Sequence, residues 1–368
     1  MKLGLSVGAA AVLLLALTTP AGILRAEDGT APTPAPPSTP PAPASAPTPA
    51  PEPAAPSAPP TAPPASPPAA SNPAASNPAE DPSSQKSEPA DPRALAILNK
   101  AKSAMKIQPP RFGRSPHYMM MTDSTAEPVC RSVLSLAEQY RSRFAEYWAG
   151  KVELAIPNDR GWVIIFADHY VYRYQFGAGE KAVASPEPLV NGIALSVEGY
   201  SQKQAAYEAL RYACFAHLVE NLLLDTKDAT GSVWLVQGLG NFFALTPGID
   251  TEKPEFGRIQ MSPDRGEFAY RKMLAEYGGR VTLSDLLEDK QVQDFTESQF
   301  LYQASCWSFV HFLMQGDGDE GRKLVVDYVA KVRSGIKGRA AFVSALGDES
   351  LSSLEEKWRR YVRKTITR

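Results

Sequence analysis

Residues 203–245 hold two apolar segments joined by a polar turn, and this stretch constrains the fold more than any other part of the chain. The first segment, 204–224, contains no Gly or Pro, and its apolar residues recur with the spacing of one helix face. A polar turn follows at 225–231, and the second segment, 233–244, is almost entirely apolar. The pattern predicts a long helix, a turn and a second, buried helix.

These two segments, and Trp234-Leu-Val-Gln-Gly-Leu-Gly240 within the second, resemble the gluzincin metallopeptidases. The layout is similar to that of the peptidase MA-like domains of exported planctomycete-like bacterial proteins. In that family H-E-x-x-H on the first helix supplies two zinc ligands and the general base, and the Glu of W-L-x-E-G supplies the third ligand. The resemblance extends over residues 117–365.

The resemblance implies an α+β fold of the zincin type. A small mixed sheet with helices would form an N-terminal lobe at 93–200, and a mostly helical lobe would follow at 201–368. The strand predicted at 191–197 would take the place of the gluzincin strand that lies along the cleft. Unpaired backbone at a sheet edge of that kind binds extended peptides.

Most of the zinc-site positions hold other residues in this sequence. Ala213 stands at the first ligand, Cys214 at the general base and Gln237 at the third ligand, so that only His217 is retained. Alanine cannot bind a metal, an amide oxygen is a poor zinc ligand, and a catalytic zinc needs three protein ligands. We therefore expect no intact catalytic residue and no bound zinc.

Three functions are compatible with this pattern. The preferred hypothesis is a non-catalytic pseudopeptidase that binds a peptide, a protein or a cell-envelope component. One alternative is a zinc-dependent hydrolase that combines His217 with Glu208, Glu220 or His311. The other is a purely structural envelope domain whose cleft is filled by its own side chains.

Two further features of these helices invite a catalytic interpretation. Cys214 and His217 lie three residues apart and could form a nucleophilic pair, but the sequence supplies no third group to orient the histidine. Tyr302 matches the place of a transition-state-stabilising residue in active relatives, although ordinary packing in the helix predicted at 300–314 is favoured. Gly238 and Gly240 are expected to allow close helix packing.

The three cysteines do not form a disulfide framework, because their number is odd and their spacings are wide. Each lies in an apolar, helix-like context, so buried thiols are expected at Cys130, Cys214 and Cys306. A bridge between Cys214 and Cys306 is the alternative.

The N-terminus predicts export. Residues 1–26 combine Lys2, an apolar run and small residues, which is typical of a secretory signal peptide or, if it is not cleaved, a membrane anchor. Residues 27–92 are rich in Pro, Ala and Ser and predict a disordered linker. The globular domain would then occupy 93–368 in the periplasm, the cell envelope or the medium. Its net charge, near +2, disfavours nucleic-acid binding.

Periodicity predicts further helices at 91–105, 126–148, 170–176, 266–277 and 283–287, and strands at 117–122, 151–156 and 161–167. The resemblance implies two closing helices, at 342–348 and 354–362.

Overall fold

The computed structural model describes residues 91–176, 183–200, 203–260, 266–290 and 297–368, which belong to one compact unit. The predicted signal segment and nearly all of the predicted linker lie outside these residues. No helix in the described part of the chain combines the length and the apolar character that crossing a membrane requires.

A five-stranded mixed sheet forms the first half of the domain. Its order is β1-β2-β3-β5-β4, with β2, β3 and β5 parallel and the two outer strands antiparallel to their neighbours. All six residues of β3 are buried because helices cover both faces of the sheet centre. The strands are β1 (Arg111–Arg114), β2 (Tyr118–Thr122), β3 (Gly161–Phe166), β4 (Ala184–Glu187) and β5 (Gly192–Ser196).

Four helices accompany the sheet. Asp91 begins the first of them, since its side chain accepts a hydrogen bond of 2.8 Å from the Arg93 backbone N–H, with Pro92 at the first helical position. The second buries an apolar stripe that includes Val133, Tyr140 and Phe144. They are α1 (Pro92–Ala104), α2 (Glu127–Trp148), α3 (His169–Phe176) and α4 (Val197–Tyr200).

The second half of the domain is helical. Its helices are α5 (Lys203–Leu218), α6 (Val233–Ala244), α7 (Gly266–Tyr277), α8 (Leu283–Leu287), α9 (Ser298–His311), α10 (Gly318–Arg333), α11 (Gly338–Leu346) and α12 (Leu351–Tyr361). Helices α5, α9 and α12 each continue into a wider π turn, at 219–223, 312–316 and 362–366. The predicted class, a small mixed sheet followed by a mostly helical region, is confirmed.

Helix α6 lies between α5 and α9, and its glycines set the spacing. A Cβ atom at Gly238 would come within 2.3 Å of Val310 Cγ2 and 2.7 Å of the Cys306 carbonyl oxygen. One at Gly240 would lie 3.2 Å from the ring of Tyr212. Both glycines therefore allow close helix packing, as predicted.

Two strand predictions are corrected by the structure. Residues 151–156 form no strand, because the alternating residues Val152 and Leu154 pack against the helical core and the Ala155 N–H donates to the Leu222 carbonyl at 2.8 Å. Strand β5 is not an edge strand, since β4 pairs with it and puts Pro186 opposite Ile193. The backbone that the resemblance offered for peptide pairing is thus already paired.

Candidate functional site

The five residues singled out from the sequence are all buried. Ala213, Cys214 and His217 on α5 are at most 1% exposed, Gln237 on α6 is 5% exposed and Tyr302 on α9 is 2% exposed. These positions therefore lie in the helical core rather than on the wall of an open cleft.

His217 is held by a tyrosine from the sheet. Its Nε2 atom lies 3.0 Å from the Tyr118 hydroxyl oxygen, and the two rings meet edge to face. Burial, together with the positive charges of Arg141 and Lys227, lowers the pKa of His217 to about 3. The imidazole is therefore neutral at physiological pH.

The two ring nitrogens of this histidine have different surroundings. Burial raises the pKa of Tyr118 well above its usual value, so the phenol keeps its proton and shares one hydrogen with Nε2. The other nitrogen, Nδ1, is buried without a partner in the described residues. Nε2, the nitrogen that faces Tyr118, is not free to bind a metal.

Cys214 cannot act as a nucleophile in this environment. Burial raises the pKa of its thiol strongly, and a protonated thiol is a weak nucleophile. Cys130 and Cys306 are buried free thiols as well, which confirms the prediction for all three cysteines and leaves Cys214 and Cys306 unbridged.

Tyr302 has a structural role. Its hydroxyl lies 3.1 Å from Asp289 Oδ1 and 3.2 Å from the Leu286 carbonyl oxygen, and the other oxygen of Asp289 accepts the Gly231 N–H at 2.7 Å. Asp289 thereby anchors the turn that precedes α6, and Tyr302 holds it there. Tyr302 is thus packed and hydrogen-bonded within the helical core.

Two of the alternative zinc ligands, Glu208 and His311, are engaged with other partners. Glu208 accepts a hydrogen bond from the Gly266 N–H at 3.1 Å, and both ring nitrogens of His311 are 2.8 Å from a partner, the Tyr361 hydroxyl or the Gly257 carbonyl. Across the described ranges, no three His, Cys, Asp or Glu side chains are placed to hold a metal ion. The residues present therefore do not fit a gluzincin zinc site.

Glu220, which the sequence offered as a possible ligand with His217, lies near a second acid, Glu187, that the sequence did not indicate. Glu220 follows His217 by one helical turn, and burial raises its pKa to about 8. Burial and the charge of Glu220 raise the pKa of Glu187 on β4 to about 8 as well. Lys227 lies close by, with its Nζ atom 2.9 Å from Asn221 Oδ1. Since β4 and α5 meet only in three dimensions, no local pattern reveals this pair.

An open groove lies between α2 and the irregular segment 154–156. Its volume is about 640 Å³, within the size range of small-ligand sites. One side is polar and the other apolar, and its lining includes His117, Glu138, Arg141, Leu154, Ile156 and Leu222. None of them was proposed from the sequence as a site residue.

The polar side of the groove is organised by Glu138. Its Oε2 atom is 2.7 Å from His117 Nδ1, and its Oε1 atom accepts from the Ser115 hydroxyl at 2.5 Å and from the His117 N–H at 2.7 Å. Partial burial acts to raise the pKa of Glu138, but these hydrogen bonds outweigh it and the pKa is lowered. Glu138 is therefore ionised and fixes the orientation of the His117 ring.

Comparison with known proteins adds no relative. No known family model matches the chain, and a search of curated proteins returns no significant match. The resemblance to gluzincins therefore stays a prediction from the residues of α5 and α6.

Proposed function

We propose that this chain is an exported pseudopeptidase, a gluzincin-type domain that binds a peptide or protein without cleaving it. One observation carries the proposal. Ala213 and Gln237 occupy two ligand positions, and the remaining histidine, His217, is neutral, buried and hydrogen-bonded to Tyr118. Peptide hydrolysis by this family requires a zinc-bound water and a general base, and the motif positions of this chain hold no residues to supply them.

A purely structural role is the second candidate. It is favoured by the burial of all five motif positions, because a domain whose former cleft is filled needs no ligand there. The groove beside α2 separates the two candidates, since only a binding domain would use it.

The first experiment measures zinc in the full-length protein by elemental mass spectrometry after dialysis against trace zinc. We expect near-zero occupancy and no cleavage of a peptide library. One tightly held zinc per chain, or cleavage that a chelator abolishes, would overturn the proposal in favour of the hydrolase.

The family assignment has its own test. The triple variant Ala213→His, Cys214→Glu and Gln237→Glu restores the gluzincin residues around His217. Because a ligand that binds only the folded state stabilises it, zinc should raise the melting temperature of this variant and not that of the wild type. The same variant with His217→Ala is the control, and an equal response of the two would refute the alignment.

A further inference from the structure

Arg141 is an arginine without a counter-charge in the wall of the groove. It is half-buried, and it forms no ion pair with a carboxylate in the described part of the chain. Two other arginines of α2 are paired, Arg131 with Glu127 at 2.7 Å and Arg143 with Glu146 at 2.9 Å. A guanidinium that is partly removed from water without an anion is costly, so this position favours an anionic ligand.

The neighbours of Arg141 leave it available to such a ligand. Glu138, one turn earlier on α2, uses both carboxylate oxygens on Ser115 and His117. His117 in turn has its Nδ1 atom engaged, whereas its Nε2 atom makes no hydrogen bond to a described residue and its side chain is 50% exposed. Arg141 also hydrogen-bonds the Tyr118 hydroxyl, a neutral partner that uses only part of its five N–H donors. Its remaining donors and His117 Nε2 therefore line the same groove without an anionic partner in the described ranges.

The opposite wall of the groove is apolar. Leu154, Ile156 and Leu222 line it, and Ile156 is 88% exposed, so its side chain is open to a ligand. The segment is held in place, because the Ala155 N–H donates to the Leu222 carbonyl at 2.8 Å and Arg333 donates to the Glu153 carbonyl at 2.6 Å. The wall is therefore a preformed feature of the groove.

We propose that this groove binds the C-terminal carboxylate of a peptide whose last side chain is apolar. The inference rests on the proposed binding function and names its ligand class. Arg141 would take the carboxylate through paired N–H donors, and His117 Nε2–H would add a third donor. The last side chain would pack against Ile156 and Leu222. A phosphate group is a poorer match, because a single arginine beside an aliphatic wall leaves much of its charge unmatched.

The test uses the full-length protein and a fluorescein-labelled peptide, Gly-Ala-Ala-Leu, prepared with a free C-terminus and as the C-terminal amide. Fluorescence anisotropy should show that the acid binds about tenfold or more tightly than the amide, which is the range of a charge-assisted pair of hydrogen bonds. Arg141→Gln should abolish this preference. Arg131→Gln is the matched control, since it removes the same charge from an exposed site on α2 and should leave the preference intact.

The possible outcomes distinguish the carboxylate site from the proposed non-catalytic function. Equal binding of acid and amide would overturn the carboxylate site while leaving the pseudopeptidase able to bind peptides. Failure of both peptides to bind would overturn the site and favour the structural candidate. Displacement of the peptide by inorganic phosphate at concentrations where acetate has no effect would also overturn it. Cleavage of the peptide would instead refute the proposed non-catalytic function.

Discussion

The burial of His217 predicts a measurable acid sensitivity of the fold. Its pKa is about 3 in the folded protein, against 6.5 for an unperturbed imidazole. Between pH 3 and pH 6.5 the imidazole is protonated in the unfolded chain and neutral in the folded protein, so the free energy of unfolding rises with pH. The stabilisation from the neutral imidazole is fully present above pH 6.5 and is lost as pH falls below that value towards 3.

The size of the loss follows from the same two values. At pH 5.0, which is 1.5 units below the pKa of an unperturbed imidazole, His217 is protonated in the unfolded chain and still neutral in the folded protein. The free energy of unfolding is therefore lower by about 2 kcal/mol than it is above pH 6.5. Glu187 and Glu220 act in the opposite direction. Because their pKa values are raised to about 8, their contribution is present at low pH and is lost as pH rises from 4.5 to 8. The change in the wild type alone is therefore a sum of opposing effects.

A variant isolates the histidine. Urea unfolding, followed through the five tryptophans, gives the free energy of unfolding at pH 7.5 and pH 5.0 for the wild type and for His217→Gln. The wild type should lose about 2 kcal/mol more than the variant over this interval.

Tyr118→Phe is the control that retains the imidazole. It should cost about 1 kcal/mol at both pH values through the lost hydrogen bond, and it should keep the acid loss. Equal losses in the wild type and His217→Gln, within about 0.5 kcal/mol, would show that His217 is not buried in the neutral form.

Two further predictions concern the helical core. Gly238→Ala should lower the free energy of unfolding by about 1–3 kcal/mol, because the added methyl collides with Val310 and the α9 backbone, whereas Gly279→Ala has open space and should be nearly neutral in the same urea titration. The native protein should not react with a thiol reagent such as dithionitrobenzoate, and three thiols should react in urea, since all three cysteines are buried and unbridged. Rapid reaction of one native thiol would contradict the burial of that cysteine.

The helices of the core could be predicted closely from the sequence. Helices α6, α7 and α8 begin and end at the predicted residues, because an apolar run or an amphipathic period is bounded there by Gly, Pro or polar turns. The elements that the sequence did not predict lack such clear signals. Strand β1, Arg-Phe-Gly-Arg, and strand β4, which contains Pro186, do not have strand-like composition, and only pairing with β2 and β5 makes them strands. Helix α10 was not predicted.

The candidate sites divide in the same way. The degenerate motif could be read from α5 and α6, because its residues lie within two local segments. The groove could not be predicted. His117 directly precedes β2, Arg141 lies on α2 and Ile156 lies in an irregular segment, and these three parts of the chain meet only in the fold. That Arg141 has no carboxylate partner among the described residues is likewise a property of its surroundings and leaves no mark in the sequence.

The borders of the sheet have a consequence for how copies of this domain behave together. Each outer strand is four residues long, β1 ends on arginines and β4 carries Pro186, which has no N–H to donate. Neither border offers another chain a long row of backbone partners. Borders of this kind disfavour edge-to-edge pairing between crowded copies of the domain.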